Sequence, residues 1–398
     1  MTQPDTAQHS KLWTRQYTLI ILITFIFFLS LQALMGGFPA FVTGITEVPS
    51  KGGLMTTSFM LAAILTRPFI GILMHKIQVK MTLILSMFFV LATIIASFGK
   101  ETFAVLIVLR ILQGICFGII TTLLATLATS MIPDGRLGEG IGFFGMATSL
   151  GTSFGPMAAL TIVHSSSFNN LLLFTLILII LSLAASLLIQ SKKNEPSIKP
   201  VRNSNLLAYA FDKRALLPGI LVSLFYVTFS GIVNYIDGLG AANGFGGRVS
   251  LFFLIIAGMM ILTRPATGKI YDRFGHRFLV YTASICGITG LVLLTMTHSF
   301  PMLCAAAIFY GVAYSVMQPT FQAWAVSRVS PDKKGTANAM TLNFMDFGMA
   351  LGAAVMGNVA VHTSYNAAFG FSSFLIVILL AIYIGVRAAG RRALNTAA

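Results

Sequence analysis

Apolar runs of about 20 residues recur along the whole chain, and each is long enough to cross the hydrocarbon core of a bilayer as a helix. Twelve spans fit: 17–42, 53–74, 81–98, 103–131, 140–163, 170–190, 216–240, 248–270, 278–297, 301–326, 336–361 and 366–387. No other feature narrows the fold as far, and it predicts an all-α integral membrane protein. The composition agrees. Charged residues are 9% of the chain and hydrophobic ones 56%, whereas an average soluble domain is about 25% charged. So few charges cannot cover a water-facing surface.

The first run is too long for a removable signal peptide and leads straight into further spans. Cys116, Cys286 and Cys304 all fall inside apolar runs, with neither metal-ligand spacing nor a disulfide pattern. They read as core-filling thiols. The formal charge of +15 lies in loops on one face of the membrane, a distribution that argues against a nucleic-acid partner.

Lys and Arg placement predicts orientation. Lys51, Lys100 and Arg248 fall on one side of the bilayer, and Arg67, Arg110 and Arg264 lie within spans. The other twenty of the 26 basic residues fall on the opposite side. Both termini are therefore expected in the cytoplasm of a cell with this protein in its plasma membrane. Residues 191–215 form the longest polar stretch and read as a cytoplasmic linker. It separates a six-helix bundle over 1–190 from a second over 216–398.

The two bundles share sequence. Leu65-Thr66-Arg67-Pro68 recurs as Leu262-Thr263-Arg264-Pro265, an offset of 197 residues. Gly71 and Gly268, Gly114 and Gly311, and Gly138 and Gly335 keep the same offset. A repeat at half the chain length points to two related halves.

The second copy continues as Gly268-Lys-Ile-Tyr-Asp272-Arg273-Phe-Gly275-His-Arg277. It resembles the loop motif of the major facilitator superfamily, G-x-x-x-D-R-x-G-R-[KR]. The first copy departs from that motif, with His75 in place of the acid and Gln78 in place of the second glycine. Span four carries Arg110-Ile-Leu-Gln113-Gly114, similar to the family's R-x-x-Q-G. Span five carries Gly142, Gly151, Gly155 and Pro156, similar to the first part of the glycine-proline signature of the drug:proton antiporter branch. Ala159-Leu160 replaces the glycine pair that ends that signature.

The resemblance covers essentially the whole chain. It implies two pseudo-symmetric six-helix bundles and transport by alternating access. It also implies that Arg67, Gly71 and His75, with Arg264, Gly268, Asp272, Arg273 and Gly275, form paired gates. Asp272 would latch the halves and His75 would do so only weakly, so inner-gate closure should depend more on Asp272 than on residues 71–80. Snorkelling to the interface is the alternative role for Arg67 and Arg264.

A charge near the bilayer centre costs at least about 2.5–3.5 kcal/mol on insertion scales and usually faces a functional interior. Arg110 is expected about 13 Å in from the outer face and Asp346 about 18 Å in from the inner face, at 1.5 Å per residue. Burial opposes ionisation of a carboxyl group and a nearby arginine favours it, opposing pulls that suit a proton carrier. Asp346 and Arg110 are thus expected to couple proton to substrate, with a structural ion pair as the alternative. The cavity is expected to hold Gln32, Arg110, Gln113, Tyr226, Asp237, Tyr314 and Asp346, with Ser30 a further candidate. Asp237 is placed at the mouth and Glu47 in an outer loop.

No nucleophile, metal or nucleotide motif is present. Without a G-x-x-x-x-G-K-[ST] loop, ATP hydrolysis is not expected, nor are enzyme activity, a metal or a cofactor. The expected partners are a small-molecule substrate, protons and the lipid bilayer, and the chain is expected to be a monomer. The leading reading is an exporter working by proton antiport. Its substrate would be an amphipathic drug, or an anionic or zwitterionic metabolite such as an opine-type metallophore, exported by some relatives in the branch. The alternatives are a proton-coupled importer and a non-transporting membrane receptor.

Overall fold

A computed structural model describes residues 12–73, 77–133, 137–190, 212–330 and 333–396. Twelve helices long and apolar enough to span a membrane are present among them. They are α1 (Arg15–Thr46), α2 (Pro49–Leu73), α3 (Val79–Ser97), α4 (Phe103–Met131), α5 (Leu137–Ser165) and α6 (Phe168–Leu187), then α7 (Lys213–Ala242), α8 (Leu251–Phe274), α9 (His276–Thr295), α10 (Phe300–Ser327), α11 (Lys334–His362) and α12 (Tyr365–Thr396). A 3-10 turn, Gly246–Ser250, leads into α8. The expected all-α membrane fold is present, and the repeat is visible in its boundaries. Both ends of α5 and of α11 are 197 residues apart, as are the starts of α3 and α9, α4 and α10, and α6 and α12.

Local chemistry sets several ends. The Thr14 hydroxyl accepts a hydrogen bond from the backbone N–H of Tyr17, the Ser167 hydroxyl accepts one from Asn170, and the Asp212 carboxylate accepts one from Arg214. Each satisfies an orphan donor at a helix start. Gly275 separates α8 from α9 at φ 68°, a left-handed geometry that glycine adopts without steric cost.

The helices pack as two related sets. Within the first half α1 lies on α5 and α6, α4 on α2 and α3, and α3 on α6. Within the second, α7 lies on α11 and α12, α10 on α8 and α9, and α9 on α12. The halves meet through α2 on α11, α5 on α8 and on the 3-10 turn, and α1 on α7.

Helix approach is closest where glycines line up. A Cβ on Gly151 would sit 2.9 Å from the Leu29 backbone nitrogen, and one on Gly155 would sit 2.7 Å from the Ala33 nitrogen. Real side chains do not come so near, so α5 can lie on α1 only with glycine at both positions. Gly348 and Gly352, each 197 residues further on, do the same for α11 on α7, where added Cβ atoms would meet Tyr226 Cβ at 2.9 Å and Val227 Cα at 2.8 Å. Small residues of this kind let membrane helices approach closely. Gly142 has open space around it. Of the glycines expected to mark an antiporter, Gly151 and Gly155 thus build a seam that both halves share.

The face holding the starts of α1 and α7 and the ends of α6 and α12 is the linker face, and the opposite one the far face. Large apolar side chains such as Leu65, Phe69, Met81 and Leu262 point outward and are exposed, as expected of a surface that meets lipid.

Candidate functional site

Arg67 on α2 and Arg264 on α8 occupy matching positions, and each reaches across to the other half. Arg67 forms an ion pair with Asp346 on α11. It also donates to the side-chain oxygen of Asn343 at 3.5 Å and packs over Phe117, 5.8 Å from the ring centroid. About 15% of each partner in the ion pair stays exposed, so water reaches this level of the protein.

Arg264 does the corresponding thing to α5. It donates to the Ser149 hydroxyl at 2.5 Å and to the Gly145 carbonyl at 3.3 Å, and to Gln318 on α10 at 3.5 Å. Ser149 and Asp346 are themselves 197 residues apart, and so are Phe117 and Tyr314. The two arginines therefore stand in equivalent frames, but one faces a carboxylate and the other a hydroxyl. Tyr226 and Tyr314, with ring centroids 6.3 Å apart, lie close enough to Arg264 to feel its charge.

Arg110 does not join this group. It is fully buried inside the first half. Its guanidinium donates to Gln113 at 2.9 Å, the Met35 sulfur at 2.8 Å and the Met55 carbonyl at 3.4 Å. Phe59 and Phe38 close over it with ring centroids 4.2 and 5.0 Å away. Such cation–π contacts contribute up to about 2 kcal/mol each when desolvated. The two residues expected to couple proton to substrate thus have different partners: Asp346 pairs with Arg67, and Arg110 is held by aromatic faces and neutral acceptors. Gln113 serves Arg110 and is fully buried with it.

Other expected residues are scattered. Gln32 donates to Thr152 on α5 at 3.3 Å. Ser30 turns to the Thr175 carbonyl of α6 at 3.1 Å, away from the meeting of the halves. Asp237 lies at the far end of α7, where His164 on α5 approaches it to 2.5 Å. Glu47 ends α1 with a left-handed φ of 56°. Arg273 is exposed and lies over Phe274 at 5.2 Å. His75, the side chain of Asp272 and the surroundings of Gly71 and Gly268 fall outside the described residues, and with them the expected latch.

Sequence reasoning passed over His164, Ser149 and Gln318. Ser149 alone left a signal, its offset of 197 residues from Asp346. His164 and Asp237 meet only because α5 and α7 converge at the far face. Beside them a cavity of about 390 Å³ is lined by Thr43, Asn234, Tyr235 and Tyr365.

Contacts between halves concentrate at that end. Thr56 bonds Asn234 at 2.5 Å, and Thr57 donates to the Ala350 carbonyl at 2.9 Å. A Cβ on Gly357 would lie 3.0 Å from the Ser50 Cα. The far end is closed by these direct contacts.

Residues 20–298 and 249–397 match the description of the Major Facilitator Superfamily. The chain is similar to the staphylopine export protein of Staphylococcus aureus, 21% identical over 82% of this chain and 85% of that protein. It is similar to the fosmidomycin resistance protein of Escherichia coli, 25% identical over 83% of each. Its fold is similar to a crystal structure of the nucleoside transporter NupG (D323A mutant), with a TM-score of 0.77, 15% identity and coverage of 93% of this chain and 99% of that one.

Proposed function

Because the chain belongs to the Major Facilitator Superfamily, a family of transporters rather than enzymes, we propose that it exports a small molecule across the plasma membrane by proton antiport. That it is a multi-pass membrane transporter follows from the family and its twelve spans. Direction, coupling ion and substrate are the proposal. The linker face is taken as cytoplasmic, in keeping with its basic loops.

The observation that carries the coupling is the Arg67–Asp346 ion pair between the halves. Asp346 is the only carboxylate deep within a span among the described residues. A proton arriving on it removes the charge that attracts Arg67. The bridge from α2 to α11 then weakens and the halves are freed to move; losing the proton restores it. A binding site at the meeting of two repeats is the usual arrangement in secondary transporters.

Export is supported by the similar proteins named for export and for resistance. The span-five glycines add little on direction, since the second half carries the same seam. An anionic or zwitterionic metabolite, of which an opine-type metallophore is one example, suits the arginine-rich interior better than a cationic drug.

Metabolite profiling of a strain lacking the transporter tests direction: build-up of one compound inside cells supports export, and its depletion there would mean import. That compound then serves as the probe in liposomes. Asp346→Asn is expected to reduce pH-gradient-driven flux by about tenfold or more, the scale of a lost proton-transfer group, while counterflow exchange persists. An unchanged pH-dependent flux in Asp346→Asn would remove Asp346 as the proton site.

A further inference from the structure

We propose that Arg264, with Ser149 and Gln318 around it, is the docking site for the anionic group of the substrate, a carboxylate or phosphonate on a small organic body. The proposal rests on the transporter reading and names the substrate class for it. The substrate's anion takes the place at Arg264 that Asp346 holds at Arg67.

The two halves supply the argument. Arg67 has its countercharge built in, in Asp346. At the equivalent place opposite Arg264 the chain has Ser149, which is buried and neutral. Among the described residues every acceptor on Arg264 is a neutral oxygen, from Ser149, Gly145 and Gln318, and its Nε is buried with no partner. A partly buried cation without a countercharge is costly, and a guanidinium presents five donors suited to a planar anion. The cost falls when an anion arrives.

The neighbours fit an organic anion. The Ser149 hydroxyl and the Gln318 amide can both donate to it. Tyr226 and Tyr314 lie nearby, and Tyr314 stacks on Phe229 with centroids 4.3 Å apart, an apolar wall for the rest of the ligand. A cation would meet Arg264 unpaired and be repelled. Arg67, already neutralised, offers an anion much less.

Benzoate and benzamide are the probes, one ring with and without the charge, titrated by ligand-detected NMR into the full-length protein in nanodiscs. Wild type is expected to bind benzoate about tenfold or more tightly than benzamide, the scale of one charge-assisted hydrogen bond. Arg264→Gln removes the preference. Ser149→Asp also removes it, because the new carboxylate reproduces the Arg67–Asp346 pair, and this variant should unfold at a temperature no lower than wild type. Ser149→Asn, neutral and still able to donate, keeps it. Equal binding of the two probes by wild type would overturn the proposal, as would a benzoate preference that survives Ser149→Asp. If Arg264→Gln does not fold, Ser149→Asp decides. Flux separates the two readings: transport with no charge preference sinks the docking site alone, whereas an Arg264-dependent preference without any flux sinks the transporter mechanism and leaves the docking site standing.

Discussion

Arg110 and Arg67 are both cations inside the membrane, yet removing them should have opposite consequences. Among the described residues Arg110 has no carboxylate partner, and its cage of Phe38, Phe59 and Met35 is apolar. Arg110→Met leaves no charge stranded and substitutes a side chain that fits the cage, so thermal unfolding in detergent should show stability unchanged or raised. Arg67→Met strands Asp346 and should lower stability by up to about 3 kcal/mol, the lower end of the loss for breaking a buried pair, reduced by the water that reaches the site. A large loss in Arg110→Met with none in Arg67→Met would contradict these assignments. The depth of Asp346 was legible in the sequence from its distance to Lys334. Its partner was not. Spacing along a span gives depth but not which neighbouring helix a side chain meets. Only the crossing of α2 against α11 brings Arg67 to Asp346.

At the scale of the helices, the glycine seams set how closely α5 approaches α1 and α11 approaches α7. Gly151→Leu and Gly348→Leu should each destabilise the protein by about 1–3 kcal/mol, the usual penalty for overpacking. Gly142→Leu, in open space, should have little effect on the unfolding midpoint. If Gly142→Leu proved as damaging as Gly151→Leu, the span-five glycines would need a role beyond packing. The spans themselves were readable because apolar length alone defines them, and the starts of α3, α4 and α12 fall within two residues of expectation. The seam in the second half was readable only through the repeat, since Gly348 and Gly352 form no motif of their own. Asp237 could be placed near a helix end, but its contact with His164 depends on two helices from different halves and leaves no trace in local sequence.

For the whole molecule, the far face is shut by small residues in direct contact. A Cβ on Gly357 would run into the Tyr235 hydroxyl and lie 3.0 Å from the Ser50 Cα, so Gly357→Val should wedge the far end apart and speed the labelling of Ser50→Cys by a thiol reagent supplied from that side. Labelling of Ser50→Cys unchanged by Gly357→Val would mean that the far end is not held shut at this contact.

The matched helices bear on the surrounding lipid as well. α5 and α11 are both 29 residues long, α4 and α10 are 29 and 28, and α3 and α9 are 19 and 20. Along these three pairs a bilayer therefore meets nearly the same apolar height in either half, although α12 is longer than α6. When one half tilts against the other, neither side suffers the larger hydrophobic mismatch, a cost of fractions of a kcal/mol per ångström. Membrane thickness then acts on both halves alike, and the preference for one open face over the other is left to the charges at Arg67 and Arg264 and, on the docking site proposed above, to the anion it would hold.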